Sequence, residues 1–251
     1  MNEKNTRVRK SIINLDYEET RQFFAHRADR YNSENPYSVT MYQDDHPELV
    51  RERNRTEIEK LRPKLHLSGN SRVLDVACGI GRWADAIDVE VEEYCGVDFS
   101  GELVRIANQR NKKVNFSFYE GSINEVDEIL RKNKKGRYNT VLMVGILMYL
   151  NDGDLLRSLQ AVEKICEKEA VICIREPVGI FERLTLKDFF SDELQDNYNA
   201  IYRTREELHT FLDEAFLQKG FAIAEEGFLF DADILNNRKE TAQYYYVIER
   251  K

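Results

Sequence analysis

The chain has 251 residues, a formal charge of −8 and an isoelectric point near 5.3. That length admits one α/β domain with a full core, or one domain with an appendage, and the acidity disfavours a general nucleic-acid binder, which would carry a basic surface. The longest apolar run, Val141 to Leu150, is too short to span a bilayer, the polar start MNEKNTRVRK has no apolar signal core, and Cys78, Cys95, Cys166 and Cys173 have no paired spacing, so a cytoplasmic protein with reduced thiols and no membrane insertion is expected.

Residues 1–14 are charged and read as a frayed lead-in. From Asp16 to Tyr31, Phe24, Ala28 and Tyr31 recur at helical spacing, with Arg27 on the same face. Arg27 has two readings: its stem lies along the core edge with the head in water, or the head faces a cofactor or an anionic substrate. Residues 32–45 form a loop rich in Asn, Ser, Tyr and Pro, and Pro47 fits the first position of a charged helix reaching Leu61. Tyr37, Tyr42, Gln43, Asp44, Asp45 and His46 are too polar and aromatic for a plain linker, although Asp45 or His46 also suits the N-cap of that helix. Asp44, Asp45 and His46 are adjacent, with no further ligand spacing, so no metal is expected.

After Pro63 the periodicity alternates. Strands are predicted at 72–76, 93–97, 114–119, 140–144 and 170–174, with helices at 81–86, 101–109, 127–135 and 152–166 between them. Such alternation implies a parallel, doubly wound sheet. A polar insertion covers 179–203. Thr204 and Glu207 then form a capping box for a helix that buries Leu208, Phe211, Leu212, Ala215 and Phe216 and leaves His209 in solvent. Residues 221–230 and 242–249 read as two strands with no helix between them, hence antiparallel neighbours.

The first strand runs into Asp75-Val76-Ala77-Cys78-Gly79-Ile80-Gly81-Arg82-Trp83, and the second ends at Asp98. Glycines let a ligand approach the main chain, the following helix offers free N–H groups, and an acid about twenty residues on suits ribose hydroxyls. Asp75-x-x-Cys78-Gly79-x-Gly81 resembles the first motif of class I S-adenosylmethionine (SAM) dependent methyltransferases. The closing antiparallel pair agrees, because that family ends its Rossmann-like sheet with an antiparallel strand beside strand five, where a dehydrogenase would continue in parallel. The resemblance implies an α/β fold with a doubly wound, seven-stranded mixed sheet. It also implies a helical lid over 1–66, a SAM-binding domain over 67–251, and a substrate-side insertion at 179–203. Asp75, Ala77, Cys78, Gly79, Gly81 and Trp83 match the methionine-binding turn. Asp98 matches the ribose acid, with Phe99 beside the adenine. Ser122 and Ile123 match the adenine edge, although the family often has Asp where Ser122 stands. Val144 falls near the methyl donor and Tyr149 where many relatives have histidine, while Arg27 and Tyr42 reach the cofactor from the lid.

Phe23-Phe24-x-x-Arg27-Ala28 followed by Tyr42-Gln43-Asp44 resembles the lids of methyltransferases found with bacterial surface-polysaccharide and sugar-modification genes. It implies a small-molecule acceptor: a sugar, a nucleotide sugar, or a phosphorylated or phosphoramidate saccharide group. Methyl transfer to a hydroxyl needs a base, for which His26, His46, Tyr149 and Glu176 are candidates; Glu176 could instead pair with Arg175, and Tyr149 could simply pack. A phosphate-type oxygen needs no base, and Arg27, Arg175 or Arg203 would orient it. The rival readings are N-methylation of an amino sugar or other small metabolite, an NAD-dependent oxidoreductase, and a non-catalytic SAM-binding subunit. A nucleic-acid methyltransferase is disfavoured because no Asn/Asp-Pro-Pro-aromatic motif follows strand four. The assembly stays open, a homodimer included.

Overall fold

The alternating apolar stretches build one seven-stranded mixed sheet flanked by helices. The computed structural model describes residues 6–231, 235, 236 and 238–251. In chain order its elements are β1 (Arg7–Arg9), α1 (Tyr17–Asp29), α2 (Ser38–Met41), α3 (Pro47–Leu61), β2 (Arg72–Val76), α4 (Arg82–Asp85), β3 (Glu93–Asp98), α5 (Gly101–Arg110) and β4 (Phe116–Glu120). There follow α6 (Val126–Lys132), β5 (Tyr138–Val144), α7 (Asp152–Ile165), β6 (Cys166–Gly179), β7 (Leu184–Ser191), β8 (Asp196–Tyr202), α8 (Arg205–Ala215), β9 (Ala222–Phe228) and β10 (Thr241–Arg250).

The strand order is β4-β3-β2-β5-β6-β10-β9. Neighbours from β4 to β6 pair in parallel, and β10 runs antiparallel between β6 and β9. The seven-stranded mixed sheet and the antiparallel insertion beside strand five are therefore as expected. The order reverses between β2 and β5, the point where open α/β sheets open a crevice at their carboxyl ends. Both faces are covered, as the apolar β5 requires. Val126 and Leu130 of α6, Leu155 and Leu159 of α7, and Leu208 and Leu212 of α8 fill one side. Leu61 of α3, Trp83 of α4 and Val104 of α5 fill the other. The Thr204–Glu207 capping box is formed and His209 is exposed.

Four expectations need correction. The 32–45 segment is not all loop, since it contains a short helix, α2 at Ser38–Met41. Residues 7–9 are not frayed: β1 pairs antiparallel with β7, Val8 opposite Thr185. The polar 179–203 insertion, for which no element is predicted, holds two strands: β7 and β8 form a hairpin and, with β1, a separate three-stranded sheet. Its alternation is broken by a register shift between Leu186 and Phe189, where Asp188 takes φ 52°, so the strand signal is split in two. Strand five is longer at both ends: it begins at Cys166, opposite Tyr138 of β5, and β10 pairs along it as far as Gly179.

The lid and the insertion share one core. Phe23, Phe24 and Ala28 of α1 and Val39 of α2 pack with Leu184, Leu186, Leu194, Tyr198, Ala200 and Tyr202 above Met148 and Tyr149. This places the hairpin and the lid together over the carboxyl ends of the sheet strands. No helix among the described residues is long and apolar enough to cross a membrane.

Candidate functional site

Beyond β2 the chain turns through Ala77 (φ 62°), Gly79 (φ 54°) and Gly81 (φ 78°) before α4 begins. All three are left-handed, a conformation that costs a residue with a Cβ about 1–2 kcal/mol. Ala77 is held there because its amide and that of Cys78 both donate to Val97 O, at 2.8 and 3.1 Å. Asp98, at the end of β3, accepts from the Gly79 amide (2.8 Å) and the Ser100 amide (2.9 Å). Burial pushes its carboxyl up to about 6, against those two donors, which lower it. Asp75 is buried beneath the turn and accepts from the Tyr94 hydroxyl; burial pushes it up to about 7.

Two adjoining hollows open here, sharing Ala77, Asp98, Phe99, Ile146 and Tyr149. One passes Ser122 and Ile123 beneath Tyr17, Thr20 and Arg21. Ser122 opens a single 3-10 turn, its hydroxyl accepting from the Asn124 amide, and Arg21 donates to Phe99 O at 2.9 Å. The other passes Asp75, Cys78, Gly79, Trp83 and Val144 and ends against the lid and hairpin at Phe24, Thr40, Tyr42, Arg53, Tyr198 and Tyr202. Gly81 and Arg27 line neither. Gly81 serves the turn itself, its amide donating to Cys78 O at 2.9 Å.

Arg27 fits neither sequence reading. It is buried, donates to both oxygens of Asp44 at 2.6 Å, and reaches Ser38 O (2.6 Å) and Val39 O (3.3 Å). These bonds hold the segment after α2 in a strained turn, with Tyr42 at φ 64°, ψ −160° and Gln43 at φ 64°. The turn presents Tyr42 to the crevice. Its hydroxyl meets that of Tyr149, which meets Tyr198 at 3.1 Å, and Tyr202 donates to Tyr198 at 3.5 Å. Burial pushes Tyr42 up to about 12 and Tyr149 well above its ordinary value, so both are neutral at pH 7.

Of the four candidate bases, only Tyr149 lies in the crevice. His26 is exposed and pairs with Asp196 at 2.8 Å, and His46 is exposed at the N-cap position of α3 without a side-chain capping bond. Glu176 is buried and does not pair with Arg175, which goes to Glu57 instead. It accepts from the amides of Ile146 (2.7 Å), Leu147 (2.9 Å) and Met148 (3.2 Å), fixing the turn that carries Tyr149. Burial pushes it up to about 7 against those donors. Arg203 buttresses the same turn through Leu147 O (2.8 Å) and Leu150 O (2.6 Å) and pairs with Asp152.

A buried charge cluster under the lid was not anticipated. Glu57 of α3 accepts from Arg82 (2.5 Å), the Trp83 indole (3.2 Å) and Arg175 (2.8 Å), and Arg175 also donates to Gln243 at 3.1 Å. Burial alone would raise Glu57, but Arg175 and Arg82 overcome it and hold the carboxyl below its usual value. Its sequence signal is that Val50, Arg53, Glu57 and Leu61 form the buried stripe of α3, which places two charges among apolar positions. Among the described residues no group of three or more His, Cys, Asp or Glu could hold a metal ion.

Residues 73–169 match the family model described as a methyltransferase domain. Magnesium protoporphyrin IX methyltransferase from Synechocystis PCC 6803, solved with bound SAM, superposes with a TM-score of 0.61 at 14% identity, over 96% of this chain and 100% of that one. The N-methyltransferase NodS from Bradyrhizobium japonicum WM9, solved with S-adenosyl-L-homocysteine (SAH), superposes with a TM-score of 0.59 at 15% identity, over 92% and 98%. At these identities the likeness shows a shared fold. Over 50 residues the chain is 38% identical to demethylmenaquinone methyltransferase of Lactiplantibacillus plantarum, which is 19% of this chain and 21% of that protein. The chain thus spans about a fifth of the length of the curated relative it matches.

Proposed function

We propose that this chain, whose residues 73–169 form a methyltransferase domain on the class I SAM-dependent fold, moves the methyl group of SAM to an oxygen of a small polar acceptor. One observation carries the reading: the two hollows adjoin at Ala77, Asp98 and Phe99, and one of them ends in a tyrosine-walled space under the lid. A nucleoside fits the first hollow, with the Asp98 carboxylate at the ribose, Phe99 at the adenine face and Ser122 and Ile123 at its edge. The turn from Ala77 to Gly79, whose own amides are taken by Val97 O and Asp98, lies beside the amino-acid end. A Cβ on Gly79 would lie 2.8 Å from Thr40 Cγ2, and the buried Thr40 hydroxyl has no hydrogen-bond partner among the described residues, which leaves it free for a polar group of a ligand.

SAM, when bound, supplies a sulfonium methyl open to in-line displacement. The chain's part is then to place the acceptor. Tyr42, Tyr149, Tyr198 and Tyr202 offer rings and hydroxyls together, which suits a sugar or a phosphorylated or phosphoramidate saccharide. Burial raises the Tyr42, Tyr149 and Tyr198 hydroxyls, so these three stay protonated and take no proton from an alcohol at neutral pH. The carboxylates on this wall are Glu57, Asp75 and Asp98, already bonded to Arg82 and Arg175, to Tyr94, and to the Gly79 and Ser100 amides. This favours an acceptor oxygen that arrives ionised. An amine of an amino sugar is the second reading, since the same tyrosine oxygens can accept from N–H. The four free cysteines, all buried, suit a cytoplasmic protein.

The test is SAM turnover against a panel of sugars, sugar phosphates and amino sugars. Tyr149→Phe is expected to lower kcat about tenfold, as loss of one positioning hydrogen bond implies, with SAH affinity unchanged. Unaltered kcat on every accepted substrate would contradict this assignment. A pH titration adds an independent check. The ionised Asp98 accepts from ribose hydroxyls, and its folded value is raised to about 6. SAH affinity is therefore expected to be flat above pH 7 and to fall below pH 6, approaching tenfold per unit. Affinity that stays level from pH 8 to pH 5 would exclude a role for that carboxylate.

A further inference from the structure

The three arginines that the sequence offers as anion holders are all occupied: Arg27 by Asp44, Arg175 by Glu57, and Arg203 by Asp152. A fourth, Arg53, is not. It lies on the buried stripe of α3, is 4% exposed, and lines the tyrosine-walled hollow. Its Nε donates to Leu235 O at 2.8 Å, but its buried Nη1 has no partner among the described residues. A charged donor buried without an acceptor is costly and calls for a reason.

The surrounding groups do not supply one. Glu57, one turn along, is held by Arg82, Trp83 and Arg175. Glu193 acts on Arg53 through its field, yet it is exposed and its Oε1 is taken by the amide and side chain of Gln43, at 2.9 and 2.7 Å. Arg238, just past Leu235, is in hydrogen-bond contact with Tyr202 and also carries an unpartnered buried Nε. Arg53 thus lines the hollow with an unfilled donor, and Arg238, against Tyr202, carries a second, among the described residues. An oxyanion is the group that satisfies such donors.

We propose that the acceptor carries an oxyanion, a phosphate or carboxylate group, and that Arg53 binds it. The inference rests on the methyltransferase reading of the same crevice and narrows its substrate class. It also agrees with a wall that offers no base: a phosphate or carboxylate oxygen attacks without first losing a proton. In such a transfer the C–O bond forms as the C–S bond breaks, and the bonding pair leaves with sulfur.

The experiment uses the full chain saturated with SAH. Inorganic phosphate, acetate and chloride are titrated at constant ionic strength, followed by thermal unfolding and calorimetry. Phosphate or acetate is expected to raise Tm where chloride does not, and the stronger of the two identifies the group. Arg53→Met is expected to weaken that binding about tenfold or more, the scale of a hydrogen bond to a charged group, and Arg53→Lys to weaken it less, with SAH affinity unchanged in both. If neither oxyanion exceeds chloride in the wild-type protein, or if Arg53→Met binds as tightly as wild type, the proposal fails. The wild-type titration and Arg53→Lys decide the matter should Arg53→Met not fold. Failure of SAH itself to bind would instead sink the methyltransferase reading.

Discussion

Replacing Asp98 with alanine is expected to weaken SAM binding at least about 100-fold. A carboxylate that accepts from two ribose hydroxyls makes two hydrogen bonds to a charged group, each about 1.5–3 kcal/mol. Their joint loss, about 3 kcal/mol or more, corresponds to two decades in Kd. The same side chain anchors the Gly79 amide at 2.8 Å and the Ser100 amide at 2.9 Å. Its removal therefore also loosens the turn that faces the amino-acid end of the ligand. Asp98→Asn keeps one carbonyl acceptor and should fall between the two. Calorimetric titration with SAH checks the series, and thermal unfolding confirms that the variants remain folded. Affinity within threefold of wild type in Asp98→Ala would remove Asp98 from the site.

The second large effect is on stability. Glu57→Gln is expected to destabilise the protein by about 3–5 kcal/mol, the usual result of leaving buried charges without their counter-charge. Glu57 is 1% exposed, and it neutralises Arg82 of α4 and Arg175 of β6 at once. Glutamine matches its shape and can still accept from Trp83, so the loss isolates charge rather than packing. For a chain of this size each kcal/mol shifts Tm by roughly 2–4 °C, so the midpoint should drop by roughly 10 °C. A change of less than about 2 °C would show that water or rearrangement satisfies the two arginines. Because α3 also carries Arg53, the variant should bind acceptor poorly even where it stays folded.

The frame of this fold is legible locally. Strands of period two and helices of period 3.6 each bury a face within a few residues of one another. The 72–76 strand, the 47–61 and 152–165 helices and the 204–207 capping box therefore stand where the pattern puts them. The glycine turn was legible for the same reason, since a left-handed turn after a strand leaves glycines at fixed spacing, and Asp98 closes on it through the Gly79 amide. The lid chemistry was not. Arg53 and Glu57 read as ordinary charges on a charged helix until Arg175, 118 residues away, is brought against Glu57. Glu176 read as a base because it follows a strand end; only the fold shows three backbone amides closing on it. His26 and His46 are polar residues of a lid, and nothing in their spacing reveals that they face outward. The β7–β8 hairpin was obscured by its own bulge at Asp188.

The crevice stands or falls on which nucleoside it accepts, and thermal unfolding of the wild-type chain with SAH or with NADH measures that directly. At about 100 times Kd a ligand adds about 2.7 kcal/mol, so SAH is expected to raise Tm by roughly 5–10 °C while NADH leaves it unchanged. A rise with NADH and none with SAH would contradict the account.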